Sequence, residues 1–195
     1  MELRAGLVGL GMMGKNHARV MGSTENVELV GIADPLGDPT GTINSELIFS
    51  SLEELIDQDI DLAVVACPTI EHEQVAMKLC EAGIHTLVEK PLAIDTEAAL
   101  RIANAFQKAN LVGAVGHIER FNPAIRSMRQ RIAEGELGEL YQISTRRIGP
   151  FPNRIRDVGV VKDLATHDLD LTVWVGNSQF KQISAHTAHK AARSQ

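Results

Sequence analysis

At 195 residues, 44% hydrophobic and 23% charged, the chain has room for one well-packed α/β domain and a fragment of a second, and its composition excludes a disordered or collagen-like polymer. No apolar run approaches the ~20 residues that cross a bilayer, and no cleavable signal pattern precedes the first strand, so a cytoplasmic protein with no membrane partner is expected. The net charge of −6 hides an asymmetry, since residues 1–100 carry 5 Lys/Arg against 17 Asp/Glu and residues 101–195 carry 14 against 8.

Arg4 to Leu10 is mostly apolar with little alternation, the pattern of a central parallel strand covered on both faces. It runs into Gly9-Leu10-Gly11-Met12-Met13-Gly14, after which a helix is predicted from about Met13 to Met21. Val27 to Asp34 is a second apolar run ending in an acid, and completes a βαβ unit. Pro35 to Asn44 holds two prolines and two glycines and reads as a loop where a crossover helix would be expected. Glu46 to Ser50 reads as a short strand, and Ser51-Leu52-Glu53-Glu54 has capping-box spacing, which starts a helix at Ser51. Leu62 to Ala66 is the next buried strand.

After Cys67-Pro68-Thr69, residues Val75, Ala76, Leu79 and Cys80 recur at helical spacing within a helix from Ile70 to Ala82 that Gly83 terminates. Cys67 and Cys80 lie inside regular elements without CxxC spacing, so two reduced, packed thiols are expected and neither a disulfide nor a zinc site. His85 to Glu89 is the fifth strand. Asp95 caps a helix that runs through Ala109, and Val112 to Gly116 supplies the sixth strand. Pro123 suits the first turn of a helix to about Glu134, Leu140 to Ile148 and Phe180 to Thr187 read as strands, and Lys162 to Val175 reads as a helix.

The glycine loop carries the first chemistry. In a strand-to-helix turn the first glycine permits the bend, the second lets backbone approach a pyrophosphate, and the third allows close helix–strand packing. Gly9, Gly11 and Gly14 take those positions, with Met12 and Met13 between them, and the helix N-terminus offers N–H groups and a positive dipole end to the phosphates. A lone GxGxxG is a weak signal. Here it follows an apolar strand, opens a helix and is followed 20 residues after Gly14 by Asp34 at a strand end, which makes it a dinucleotide fingerprint. Asp34 either accepts the adenosine ribose hydroxyls or caps a turn. With Pro35 next to it and no guanidinium for a 2′-phosphate, NAD is the expected cofactor, with NADP as the possible substitute.

Taken together, the glycine loop, Cys67-Pro68-Thr69 with His72, Glu89-Lys90-Pro91, Gly116-His117 leading to Arg120-Phe121-Asn122-Pro123, and Asp163-Leu164-Ala165-Thr166-His167 resemble the glucose-fructose oxidoreductase, inositol dehydrogenase and MocA (Gfo/Idh/MocA) family. The Arg-Phe-Asn-Pro form looks most like the UDP-N-acetyl-sugar 3-dehydrogenases, with inositol dehydrogenases similar. The resemblance implies a doubly wound parallel-sheet Rossmann domain over residues 1–120. Family members carry a longer second domain on an open sheet, so residues 121–195 are expected to form an incomplete α+β substrate domain.

The activity implied is reversible, NAD-dependent oxidation of a secondary alcohol of a sugar, polyol or nucleotide sugar to a ketone, by a homo-oligomer with no nucleic-acid partner. The alternative is a dinucleotide-binding sensor or assembly protein that turns nothing over. Read alone, Lys90 is a surface lysine; its place in the Glu-Lys-Pro motif implies contact with the reacting oxygen. Asp163 and His167, four apart, share a helix face, and spacing alone leaves acid/base chemistry, metal ligation and a solvated pair all open. The resemblance implies catalysis, with His167 exchanging the hydroxyl proton and Asp163 either orienting the substrate or raising the imidazole's basicity. It also places Cys67, Pro68, Thr69, His72, Glu89 and Lys90 on the cofactor, and Lys90, His117, Arg120, Asn122, Asp163 and His167 on the substrate, with no metal. His72 either contacts the cofactor or caps local structure. Arg120 either binds substrate or forms an inter-domain salt bridge, and Phe121 is expected to pack. His186 and His189 read as solvent-facing.

Overall fold

The structure is a computed structural model that describes residues 2–148, 159 and 161–188. It divides into two compact units, residues 1–116 and 117–195. The first contains β1 (Leu3–Val8), α1 (Met12–Met21), β2 (Val27–Ala33), β3 (Ile48–Phe49), α2 (Leu52–Ile56), β4 (Leu62–Val65), α3 (His72–Glu81), β5 (His85–Val88), α4 (Thr96–Ala109) and β6 (Gly113–Val115). Every strand pairing is parallel, and the order across the sheet is β3-β2-β1-β4-β5-β6. The chain therefore winds outward in both directions from β1 and β4, as the motifs predict, and leaves a crevice at the carboxyl ends where the winding reverses.

Successive side chains leave opposite faces of a strand, so a strand covered on both sides must be apolar at every position. Leu7 and Val8, Ile32 and Ala33, and Val64 and Val65 obey this rule, each pair splitting between two separate buried clusters. The larger cluster adds Leu79 of α3 and Ile102 and Phe106 of α4, and the smaller adds Ala18 and Met21 of α1. The helix α2 has only five residues and holds its place by close approach. A Cβ on Gly31 would lie 2.7 Å from Leu55 Cδ1, and one on Gly6 would lie 3.2 Å from either Leu55 δ-methyl. Two strand glycines thus make the hollow that the fully buried Leu55 fills.

Caps fall where the sequence puts them. Ser51 Oγ accepts from Glu54 N–H at 3.2 Å, although Glu54 reaches back to the Ser50 N–H at 2.9 Å, one residue before the cap. Asp95 accepts from Ala98 N–H at 2.8 Å to start α4. The strand expected over Glu46 to Ser50 shrinks to Ile48–Phe49, because Asn44 accepts from Glu46 N–H at 3.2 Å and winds Ser45–Leu47 into a 3-10 turn.

In the second unit a 3-10 turn at Ile118–Phe121 leads to α5 (Pro123–Ala133), and a π-helical turn at Val161–Ala165 leads to α6 (Thr166–Gly176). Asn122 caps α5 by accepting from Ala124 N–H at 3.0 Å, with Pro123 in the first turn. The Arg129 guanidinium lies 4.5 Å over the Trp174 ring and its Nε donates to the Trp174 carbonyl at 3.1 Å, tying α5 to α6. Leu140 to Ile148 and Phe180 to Thr187 form no strand, contrary to expectation. A strand exists only through a ladder partner, and among the described residues nothing pairs with either segment, so Tyr141, Ile148 and Ile183 stay exposed. Phe121, expected to pack, is 74% exposed. No helix among the described residues is long and apolar enough to cross a membrane.

Leu55→Ala is expected to cost ~2–5 kcal/mol, since the hollow between two glycines and a five-residue helix cannot collapse around the missing methyl groups. Urea denaturation followed by circular dichroism measures it.

Candidate functional site

The three loop glycines are required for different reasons. Gly9 has φ +91°, and a Cβ there would stand 2.7 Å from the Cys67 backbone nitrogen. On Gly14 it would stand 2.0 Å from the Gly9 carbonyl oxygen. These two residues let α1 and β4 close on the end of β1. Around Gly11 no atom lies within 4 Å of the Cβ position, and its backbone, at φ −67°, is one any residue can adopt. The protein itself gives no reason for a glycine there; an approaching phosphate does. Gly11 is also the N-cap of α1 and contributes no side chain to satisfy the first N–H groups, which stay directed at the open space. Met12 beside it is exposed and Met13 is half-buried.

Asp34 fastens this loop from β2. Its Oδ2 accepts from the Leu10 N–H at 2.6 Å and its Oδ1 from the Leu36 N–H at 2.8 Å. Each carboxylate oxygen keeps a second lone pair, which suits a ribose diol. The cradle a Cβ would fill at Gly11 and the acid at the neighbouring strand end fit a dinucleotide.

Two strands from β1 in the sheet, β5 delivers Glu89-Lys90-Pro91. Glu89 is 6% exposed, accepts from His17 Nε2 at 2.8 Å through Oε1 and from the Lys90 N–H at 3.1 Å through Oε2. Burial pushes the Glu89 carboxyl up, but the hydrogen bond and charge of His17, with the Lys90 N–H and charge, outweigh it and hold the group below its ordinary value. His72 is 1% exposed; its Nδ1 lies 3.0 Å from the Pro91 carbonyl and its Nε2 lies 3.0 Å from the Cys67 carbonyl. The turn that carries the half-buried Lys90 is thus braced by a histidine from α1 on one side and a histidine from α3 on the other. His17 is absent from the sequence-based site. Its signal was its position, three residues past Gly14 on the same helix face.

Along the Cys67-Pro68-Thr69 segment, Pro68 is exposed and Thr69 buried. Burial first, then the charges of Glu71 and Asp34, pushes the Cys67 thiol up to about 12, so it is no thiolate nucleophile. Cys80 is likewise pushed up by burial, and both cysteines are free thiols.

In the second unit, Asp163 sits in the π-helical turn and is 5% exposed, while the half-buried His167 is the second residue of α6. π turns concentrate at functional sites. Arg120 donates from Nε to Asp170 Oδ2 at 2.8 Å and from its other nitrogen to Oδ1, and His117 Nδ1 lies 3.7 Å from the same carboxylate. The salt bridge foreseen for Arg120 therefore lies within one unit. Arg147, unnoticed in the sequence, clamps Asp168 at 2.9 Å and Glu119 at 3.3 Å. Asn122 is the α5 cap. His186 is exposed, and His189 lies outside the described residues.

The family model described as "Oxidoreductase family, NAD-binding Rossmann fold" matches residues 3–117, and that of the "GFO/IDH/MocA C-terminal domain" matches residues 125–194. The chain belongs to the Gfo/Idh/MocA family. It is 34% identical over 175 residues to UDP-N-acetylglucosamine 3-dehydrogenase of Acidithiobacillus ferrooxidans, covering 88% of this chain and 54% of the relative. It is 28% identical over 195 residues to scyllo-inositol 2-dehydrogenase (NAD(+)) of Bacillus subtilis, covering 95% and 57%. The solved structure of the Acidithiobacillus enzyme superposes with a TM-score of 0.78 at 32% identity, covering 96% of this chain and 62% of that one. A probable dehydrogenase from Thermotoga maritima gives 0.82 at 25% identity, covering 91% and 56%. The chain thus spans just over half the length of the curated relatives it matches.

Two outcomes are expected from this site. Gly11→Val folds and loses NAD binding by calorimetry, whereas Gly14→Ala, placing a methyl against the Gly9 carbonyl, loses stability in urea. Glu89→Gln is less stable than wild type at neutral pH by ~1–3 kcal/mol. Because the native Glu89 value is depressed below the ordinary 4.5, its contribution is present above that pH and fades as pH falls through the native value. The gap between the two urea midpoints narrows in acid.

Proposed function

We propose that this chain forms the dinucleotide-binding unit and part of the substrate-binding unit of an NAD-dependent dehydrogenase. The reaction is reversible oxidation of a secondary alcohol of a sugar, polyol or nucleotide sugar to a ketone. The observation that carries this reading is the Glu89-Lys90-Pro91 turn at the end of β5, fastened by His17 and His72. A lysine held at a strand end of a dinucleotide fold is a built feature, because a surface lysine needs no such bracing. The relatives named above act on a UDP-sugar and on an inositol, which supports the substrate class.

Bound NAD supplies the hydride acceptor. Gly11, Met12 and Met13 hold its pyrophosphate through backbone N–H groups, Gly9 and Gly14 shape the loop that presents them, and Asp34 accepts from the adenosine ribose. Cys67, Pro68 and Thr69 line the cofactor from the end of β4. Glu89 fixes the turn, and His72 supports the cofactor-side loops from beneath, as its burial requires. Lys90 donates a hydrogen bond to the carbinol oxygen. His167 takes the hydroxyl proton as the carbinol hydrogen leaves as hydride, so the alcohol loses one proton and one hydride and becomes a ketone. Asp163 orients the imidazole. His117, Arg120 and Asn122 contribute to the substrate side, with Arg120 held in direction by Asp170. The reading expects a cytoplasmic homo-oligomer.

The test is an activity panel of UDP-sugars, inositols and free sugars with NAD, followed by variants. Lys90→Met and His167→Ala are each expected to lower kcat/KM by ~10²- to 10⁴-fold with little change in NAD affinity, and Asp163→Asn by less. Wild-type rates in both the lysine and histidine variants would sink the mechanism. Tight NAD binding with no oxidation across the panel would favour a dinucleotide-binding protein without turnover.

A further inference from the structure

The adenosine end of the dinucleotide site holds a charge cluster that the proposed chemistry does not use. Between Arg19 and Lys78 the sequence contains no lysine or arginine, so β2, the loop after it and β3 bring no cation of their own. Lys15, in the first turn of α1 directly after Gly14, reaches into that loop. Its Nζ donates to Asp38 Oδ1 at 3.0 Å and to the Thr40 hydroxyl.

Asp38 is the hub of the loop. Its Oδ1 also accepts from the Thr40 N–H at 3.0 Å and the Thr40 hydroxyl at 2.6 Å. Its Oδ2 accepts from the Thr42 N–H at 2.6 Å, the Thr42 hydroxyl at 3.0 Å and the Ile43 N–H at 3.0 Å. The Asp38 side chain is 2% exposed and that of Lys15 32%. The Thr40 hydroxyl first, then, against the opposing effect of burial, Lys15 and the Thr40 and Ile43 amides hold the Asp38 carboxyl well below the usual carboxylate range. It is an anion wherever the protein is folded near neutral pH. Asp38 lies four residues past Asp34; the Gly37 N–H donates to the Asp34 carbonyl at 3.0 Å and the Gly41 N–H to the Asp38 carbonyl at 3.1 Å, so the two carboxylates open successive turns of one loop.

We propose that the Asp38–Lys15 pair sets the choice between NAD and NADP. Asp38 neutralises the cation that α1 supplies to this loop and draws it in, so that a 2′-phosphate arriving beside Asp34 meets a carboxylate with no counter-charge. Neither residue touches the ribose in this scheme; they decide specificity by what they withhold. The inference rests on the dinucleotide reading of the site.

The experiment is calorimetric titration of the full chain with NAD and with NADP, with folding checked by circular dichroism. Asp38→Asn keeps one acceptor oxygen, for either the Thr40 amide or the Thr42 and Ile43 amides, and removes the charge that holds Lys15. It is expected to raise NADP affinity relative to NAD by about tenfold, the scale of one charge pair near a protein surface, and the gain should shrink with added salt. The double variant Lys15→Met/Asp38→Asn has the same local charge sum as wild type but no lysine, and should return the ratio to the wild-type value. Lys15→Met alone should weaken NADP more than NAD. An unchanged ratio in Asp38→Asn, or a gain that survives in the double variant, overturns the proposal. So does an equal loss of both cofactors in a folded Asp38→Asn protein, which would make Asp38 only a prop for the loop. Wild-type protein that binds neither dinucleotide would overturn the cofactor reading itself and this proposal with it, a result distinct from binding with an unaltered preference.

Discussion

The first unit depends on one backbone contact, that between Gly14 and the Gly9 carbonyl. A single methyl at Gly14 would stand 2.0 Å from that oxygen, a separation no rotamer change can repair because the backbone fixes the position of a Cβ and the oxygen is main chain. Through this contact α1 begins directly on the end of β1 instead of being carried off by a longer loop. The consequences are local and chemical. The first N–H groups of α1 stand at the carboxyl edge of the sheet, where the winding reverses, and His17, three residues on, comes within 2.8 Å of Glu89. The same contact therefore brings the helix N-terminus to the carboxyl edge of the sheet and helps fasten the turn that carries Lys90.

That turn shows how a buried polar group can serve a site without touching a ligand. Glu89 and His72 are almost fully buried, and a buried polar group that lacks partners costs more than a good hydrogen bond returns. Both are partnered: Glu89 by His17 and the Lys90 amide, His72 by two carbonyl oxygens from different loops. The Glu89–Pro91 backbone is consequently fixed from α1 and from α3 together. A lysine on an unbraced loop would spend its time among many positions; this one springs from a backbone with little freedom.

The sheet and the glycine loop were legible because their signals are local. Apolar runs without alternation mark strands covered on both faces, and the loop, the acid at the end of β2 and the Ser51, Asp95 and Asn122 caps each act over a few residues. The rest depends on partners far away in sequence. Nothing near Glu46 says that Asn44 will wind the next residues into a 3-10 turn. Alternation in Leu140 to Ile148 marks a face suited to a sheet, but a strand also needs an edge to pair with. Asp168 and Asp170 carried no motif, yet they hold Arg147 and Arg120, contacts that span 21 and 50 residues. His17 was readable only as a position on a helix face, since its meaning comes from a glutamate 72 residues on.

Charge completes the picture. The first hundred residues hold 17 acids and 5 bases, an unpromising balance for a unit that binds a pyrophosphate. Backbone resolves the conflict: N–H groups at the start of α1 supply positive potential with no side-chain cation, and the space over Gly11 is open. The acids are then free to act elsewhere, Asp34 on the Leu10 amide and Glu89 under Lys90. Lys15, the one base set immediately after the glycine loop, is turned aside into the Asp38 cage. Positive potential in this unit thus comes from backbone, while the carboxylates of Asp34 and Asp38 are gathered at two successive turns after β2.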